Sequence, residues 1–134
     1  MRKAPTVNLK KDGPGVAVRK MKNVGTSTVY VVDSDRKYKG IATIDEANDL
    51  KKKNVKDLSN IIRNDAGRTS PDTPIKQLLS KALSSTYPVA VLDDDGHLLG
   101  IVDRASIISE VNLNDPDYET SEAEKQELET KESV

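Results

Sequence analysis

Sliding the chain against itself by 60 positions superimposes two stretches without a gap, and this internal repeat constrains the fold more than any other feature. Thr28 to Asp35 lies on Pro88 to Asp95, and Gly40 to Thr43 lies on Gly100 to Asp103. Upstream, Asp12-Gly13-Pro14 lies on Asp72-Thr73-Pro74. Across residues 12–51 and 72–111, nine of forty pairs are identical: Asp12, Pro14, Thr26, Val29, Val31, Asp33, Asp35, Gly40 and Ile41 with their partners. These sit at turns and strand cores, where a shared backbone demands them.

Each copy reads as strand, helix, strand, strand, helix. Asp72-Thr73-Pro74 starts a helix, with proline where a missing N–H does no harm. Ile75, Leu78, Leu79, Ala82 and Leu83 then give one apolar stripe at helical spacing. Val16, Val18, Met21 and Val24 form the weaker stripe of the first copy. Short β-branched runs follow at Val29 to Val32 and Val89 to Leu92, and Asp95-Gly96 is a hairpin signal. A second strand returns through each Gly-Ile pair, and a helix starts at Thr43 or Asp103. Leading short strands are expected at Thr6 to Leu9 and Arg68 to Ser70, and an amphipathic connector at Val55 to Ile62. Neither copy carries enough large apolar residues to bury its own sheet face, so the two must share a core. The expectation is an α+β globule with internal pseudo-twofold symmetry. Residues 5–60 make the first repeat with its connector, 61–113 the second, and 114–134 an acidic flexible tail.

Composition removes much enzymology. The 134 residues contain no cysteine and one histidine, His97, which excludes thiol chemistry, zinc ribbons and a Ser-His-Asp triad within this chain. No GxxxxGK[ST] phosphate loop is present, so no ATPase engine is expected here. No apolar run approaches the roughly 20 residues of a membrane span, and Met1-Arg2-Lys3 leads into no signal-peptide core, so a cytoplasmic chain is expected. Asp93-Asp94-Asp95-Gly96 fails as a calcium loop, because Gly96 falls too early and Arg104 stands where the closing glutamate belongs. Charge is uneven. Residues 111–134 hold eight acids against Lys125 and Lys131, leaving a body with 19 bases and 14 acids. That segment is expected to be a solvating terminus, disordered or a frayed helix, or else an electrostatic element that folds back on the basic body or competes with an acidic partner. Lys51, Lys52, Lys53 and Lys56 form a small basic patch, a solvated helix end in the plainest reading. With tyrosine as the sole aromatic type and a net charge of −1, nucleic acid is not an expected partner.

Pro-Val-Ala-Val-Leu-Asp at 88–93 followed by Gly-Ile-Val-Asp-Arg at 100–104 resembles a cystathionine-β-synthase (CBS) domain. Val-Tyr-Val-Val-Asp at 29–33 and Gly-Ile-Ala-Thr at 40–43 resemble the same family. The resemblance covers about residues 5–113. It implies a non-catalytic regulatory pair that binds adenine nucleotides between its repeats and forms a homodimer. The short pair with its charged linker and acidic tail is similar to the C-terminal modules of ATP-binding subunits of glycine betaine and quaternary-amine osmoprotectant ABC transporters. That narrower likeness implies cyclic di-AMP as ligand, with AMP or ATP as the alternative, and no cofactor. It also implies partnership with an ATPase domain and a membrane subunit at the inner face of the cell membrane, where the basic patch would meet anionic lipid indirectly. A ligand-free dimerisation scaffold is the other alternative.

The site the resemblance implies falls on Thr28, Ile41, Thr43, Tyr87, Ile101, Asp103 and Arg104. The family's ribose motif is Gly-apolar-apolar-Thr/Ser and then, after two residues, Asp. Gly40 to Thr43 with Glu46 fits it, whereas Asp103 and Ser106 depart from it in the second copy. Thr43 and Asp103 are also N-caps by type, Thr-x-x-Glu being a capping box, and both readings stand. Arg104 in a first helical turn opposes the dipole, which calls for phosphate, a carboxylate or solvent around it. Tyr87 either contacts adenine or covers the sheet end. Ile41 and Ile101 are core residues that also floor a base slot, and Thr28 reaches the base or caps its strand.

Overall fold

The structure, a computed structural model, describes residues 1–110. The acidic segment beyond them, with the expectations placed on it, lies outside the described residues. The first repeat runs β1 (Thr6–Asn8), α1 (Pro14–Val24), β2 (Thr28–Val32), β3 (Tyr38–Thr43) and α2 (Ile44–Lys52). A 3-10 turn at Ser59–Ile61 leads to β4 (Arg68–Thr69), α3 (Ile75–Ser84), β5 (Val89–Leu92), β6 (Leu98–Val102) and α4 (Arg104–Glu110).

Each repeat builds a three-stranded sheet of the same order, β1-β2-β3 and β4-β5-β6. In both, the leading strand pairs parallel with the middle one and the last pairs antiparallel. A parallel pair needs a crossover, which α1 and α3 supply. Even the register irregularity recurs, between Val31 and Val32 and between Val91 and Leu92. The hairpins share their chemistry too. Asp33 Oδ1 accepts the amides of Asp35 and Lys37, both at 2.9 Å, and Asp93 Oδ1 accepts those of Asp95 and His97, both at 2.9 Å. The left-handed position holds Gly96 (φ 86°) in one turn and Arg36 (φ 64°) in the other.

The strands alternate between two cores, as a period of two requires. Val29 and Val31 of β2 face Ala17, Val18 and Met21 of α1, while Tyr30 and Val32 face the other repeat. There they meet Ala90, Leu98 and Ile101 across the seam, so the two sheets bury one another's faces. Val89, Val91 and Val102 face Leu79 and Ala82 of α3 and Ile107 of α4. This shared central core meets the expectation that neither copy is self-sufficient.

Details differ from the periodicity. The α1 stripe is Pro14, Ala17, Val18 and Met21, with Val16 half-buried. Val24 is 59% exposed, because the helix ends there and the chain reverses at Gly25. Pro74 caps α3 instead of opening it, and Ile75, Leu78 and Leu83 are only partly buried. The connector has no regular structure apart from its 3-10 turn, yet Leu58 from it is fully buried with residues of the first repeat's helices.

The repeats are also hooked together at their edges. Arg63 in the connector exchanges two backbone hydrogen bonds with Ile41 on β3, at 2.9 and 2.8 Å. Arg2, ahead of the first repeat, does the same with Ile101 on β6, at 3.0 and 2.9 Å. The segment leading into each repeat thus edges the sheet of the other. This explains the glycine shared at 40 and 100. A Cβ on Gly40 would strike the Arg63 carbonyl and, at 2.6 Å, Ile62; one on Gly100 would meet Met1 at 2.6 Å and the Arg2 carbonyl at 2.8 Å.

Candidate functional site

The start of α2 gathers the first group of candidates. Thr43 is its N-cap, accepting the Glu46 amide at 3.4 Å while its hydroxyl donates to Glu46 Oε1 at 3.1 Å. The same carboxylate oxygen takes Arg63 Nε at 2.5 Å. Glu46, through that bond and its charge, raises the guanidinium's pKa further above its ordinary value, with a smaller push in the same direction from Tyr87. Tyr87 is thus within electrostatic reach of this ion pair, and it is half-buried against the central core. Thr28 lies directly across from Thr43 in the β2–β3 register and is buried. Ile41 is fully buried in the central core beneath them.

The start of α4 gathers the second group. Asp103 Oδ1 accepts the Ser106 amide at 2.8 Å, and Ser106 Oγ accepts the Asp103 amide at 2.9 Å, a reciprocal cap with serine in the usual glutamate place. Arg2 clasps the other carboxylate oxygen, Oδ2, with Nε at 3.2 Å and an Nη at 2.8 Å. Partial burial pushes the Asp103 carboxyl up, but the Ser106 amide and Arg2 outweigh it and hold the pKa below the ordinary carboxylate range. Ile101 is buried in the central core. Arg104 is half-buried, and its Nε is enclosed without a hydrogen-bond partner among the described residues.

A buried tyrosine joins the groups. The Tyr30 hydroxyl donates to the Pro88 carbonyl at 2.6 Å, next to Tyr87, and feels the charges of Arg2 and Asp103. Burial, first of all, lifts its pKa well above the ordinary phenol value. The seven candidates therefore divide between two helix starts, Thr28, Ile41 and Thr43 at one and Ile101, Asp103 and Arg104 at the other. Tyr87 belongs to the second repeat by sequence and packs on the central core that both groups share.

Sequence reasoning missed Arg63, Arg2 and Tyr30. The two arginines stand one position out of the 60-residue register, which is why an ungapped slide does not align them. The signal was a basic residue a few positions ahead of each repeat's leading strand. Tyr30 faces Ala90 in that alignment, so nothing in the repeat marks it as special.

The acidic turn of the second hairpin brings oxygens of Asp93 and Asp95 and a ring nitrogen of His97 within 4.8 Å of one another. His97 Nδ1 is 2.9 Å from Asp93 Oδ2, so the cluster is satisfied internally. No helix among the described residues is long and apolar enough to cross a membrane.

Comparison with known proteins agrees with this architecture. The CBS domain family model matches residues 55–113, the second repeat with its connector. The chain is 38% identical over 113 residues to the glycine betaine/carnitine transport ATP-binding protein GbuA of Listeria monocytogenes, covering 81% of this chain and 28% of that protein. It is 34% identical over 110 residues to the glycine betaine transport ATP-binding protein OpuAA of Bacillus subtilis, covering 81% and 25%. The chain thus spans about a quarter of the length of these curated relatives. Among solved structures, Staphylococcus aureus OpuCA superimposes with a TM-score of 0.71 at 24% identity, over 82% of this chain and 93% of that one. CbpB in complex with c-di-AMP superimposes at 0.69 and 15% identity, over 96% and 83%. CBSX2 in complex with AMP does so at 0.66 and 14%, over 80% and 86%. Two copies of one strand-helix-strand-strand-helix unit, the family match on the second and the likeness of both to solved CBS pairs lead to one conclusion: the chain belongs to the CBS domain family, as a tandem pair.

Proposed function

We propose that this chain is the nucleotide-sensing regulatory module of an osmoprotectant ABC transporter, binding cyclic di-AMP at the repeat cleft or at a dimer interface and so gating glycine betaine uptake. The observation that carries the reading is the likeness to glycine betaine transport ATP-binding proteins along 81% of the chain. The fold shared with a c-di-AMP complex supports the ligand. At the two helix starts, Thr43 and Asp103 would offer a hydroxyl and a carboxylate for ribose, Ile41 and Ile101 would each floor an apolar slot, and Thr28 and Tyr87 would take the base. Arg104 offers a cation with no ion-pair partner among the described residues. The module performs no catalysis of its own in this reading. It works as a homodimer attached to an ATPase domain and a membrane subunit, on the cytoplasmic side of the membrane and near its anionic surface. Gating requires only that the ligand bind one arrangement of modules more tightly than another.

AMP or ATP sensing is the second reading, favoured by the fold shared with an AMP complex. Calorimetric titration of the chain with cyclic di-AMP, AMP and ATP separates the two. Saturable binding of the cyclic dinucleotide alone supports the transporter reading, and binding of AMP or ATP alone favours the second. No heat with any ligand, together with an unchanged melting temperature, leaves a dimerisation scaffold, since only a bound ligand raises stability by mass action.

A further inference from the structure

Arg63 is anchored and free at once. Its backbone is fixed to Ile41 by two hydrogen bonds, yet its side chain is 43% exposed and held by the 35% exposed Glu46. An ion pair so open to water contributes little, and its partners exchange readily. Glu46 Oε1 is shared between Arg63 and Thr43, so this one oxygen joins the arm to the start of α2. The arrangement recurs on independent residues, where Arg2, also fixed by its backbone, holds Asp103. A phosphodiester offers a guanidinium fork two acceptor oxygens and a full charge, which a carboxylate already shared with a hydroxyl offers less well.

We propose that Arg63 is the phosphate-contacting residue of the first cleft, parked on Glu46 until a nucleotide arrives. This rests on the nucleotide-sensing reading and adds to it the residue that takes the anionic part of the ligand. The arm stays hooked to β3 during the exchange, and only the guanidinium swings from carboxylate to phosphate.

The test is calorimetric titration with cyclic di-AMP of the full chain and three variants: Arg63→Gln, Arg63→Lys and the charge control Lys37→Gln on the exposed hairpin turn. Arg63→Gln is expected to weaken binding at least tenfold and to flatten its dependence on salt. Arg63→Lys keeps the charge without the fork and should lose less, while Lys37→Gln should stay within twofold. Equal affinity in wild type and Arg63→Gln overturns the assignment and leaves nucleotide sensing intact. If wild type binds none of cyclic di-AMP, AMP and ATP, the sensing reading fails and takes this role with it. Should Arg63→Gln melt well below wild type, Arg63→Lys decides: unchanged affinity there overturns the proposal, and weakened affinity with an unchanged melting temperature supports it.

Discussion

The two repeats share a backbone and differ in what they hang on it. Both bring an arginine from an arm to a helix start. The first repeat meets it with glutamate on the third residue after Thr43, the second with aspartate at the cap itself. Near the hairpins the contrast is greater. Tyr38 opens β3, with Arg68 stacked 4.8 Å over its ring and its hydroxyl enclosed without a partner among the described residues. Burial, the largest influence, pushes that hydroxyl up to about 12. At the symmetry-related place Leu98 of the second repeat stands for Tyr38 and Thr6 of the first for Arg68, and a crevice of about 170 Å³ remains, bordered by Lys3, Thr6, Arg36 and Leu98. The backbone of a repeat tolerates divergence wherever side chains alone change, and resists it where backbone meets backbone.

That contrast can be broken most forcefully at the shared glycines. Gly40 has φ 138°, and its neighbour Arg63 is tethered on both sides by the connector and β4. Gly40→Ala should therefore cost about 3 kcal/mol and lower the melting temperature by more than about 10 °C, followed calorimetrically. Gly100→Ala meets a flexible methionine and an arm held at one edge, and should cost about 1 kcal/mol. Equal losses would show that the two arms are equally rigid.

Next in size is Tyr30→Phe, which strips the part-buried Pro88 carbonyl of its 2.6 Å donor. Urea unfolding should show a loss of about 1–2 kcal/mol with an unchanged m-value. No loss would mean that the seam holds by apolar packing alone.

The hairpin turns sharpen the comparison at smaller scale. Arg36 occupies a left-handed conformation that glycine holds in the other turn, so Arg36→Gly should stabilise by about 0.5 kcal/mol and Gly96→Arg should destabilise by about 1 kcal/mol. A destabilised Arg36→Gly would reveal an unrecognised role for that side chain.

The smallest effect is with acid. The Lys37 amide holds the Asp33 carboxyl below its ordinary range, and the His97 amide does the same for Asp93. With folded pKa values depressed, their stabilisation is complete above the unfolded value near pH 4 and fades as pH falls through the folded ones. Asp33→Asn and Asp93→Asn should each lose a little stability at pH 7 and converge on wild type well below about pH 4, flattening the acid limb of a stability profile. An acid limb identical to wild type would put that loss elsewhere, for example at Asp103.

Much of the fold was legible because identical residues had backbone reasons to be identical. Asp33 and Asp93 tie their hairpins, and Gly40 and Gly100 admit the arms. The unit order, the hairpins and the helix starts at Thr43 and Asp103 followed from them. The apolar stripe of α1 was misread at Val24 because periodicity does not say where a helix runs out of sheet to cover. The site was legible only by half. The helix starts were visible, but the arginines that close on them come from segments outside the repeat register, and a pairing between distant segments leaves no local pattern. Tyr30 was hidden for a similar reason, as its partner is the other repeat's backbone.

The exchanged arms also set a schedule for the chain as it folds. Arg63 and Glu46 are 17 residues apart, whereas Arg2 and Asp103 are 101 apart. The first repeat can close its own edge as soon as the connector follows it. The second must wait for a segment laid down long before, held loose through the interval. Closing so long a loop is slow, and until it happens β6 exposes an unpaired edge that another copy's arm fits equally well. The same geometry that binds two repeats into one globule is thus, at high concentration, a route to exchange of arms between molecules.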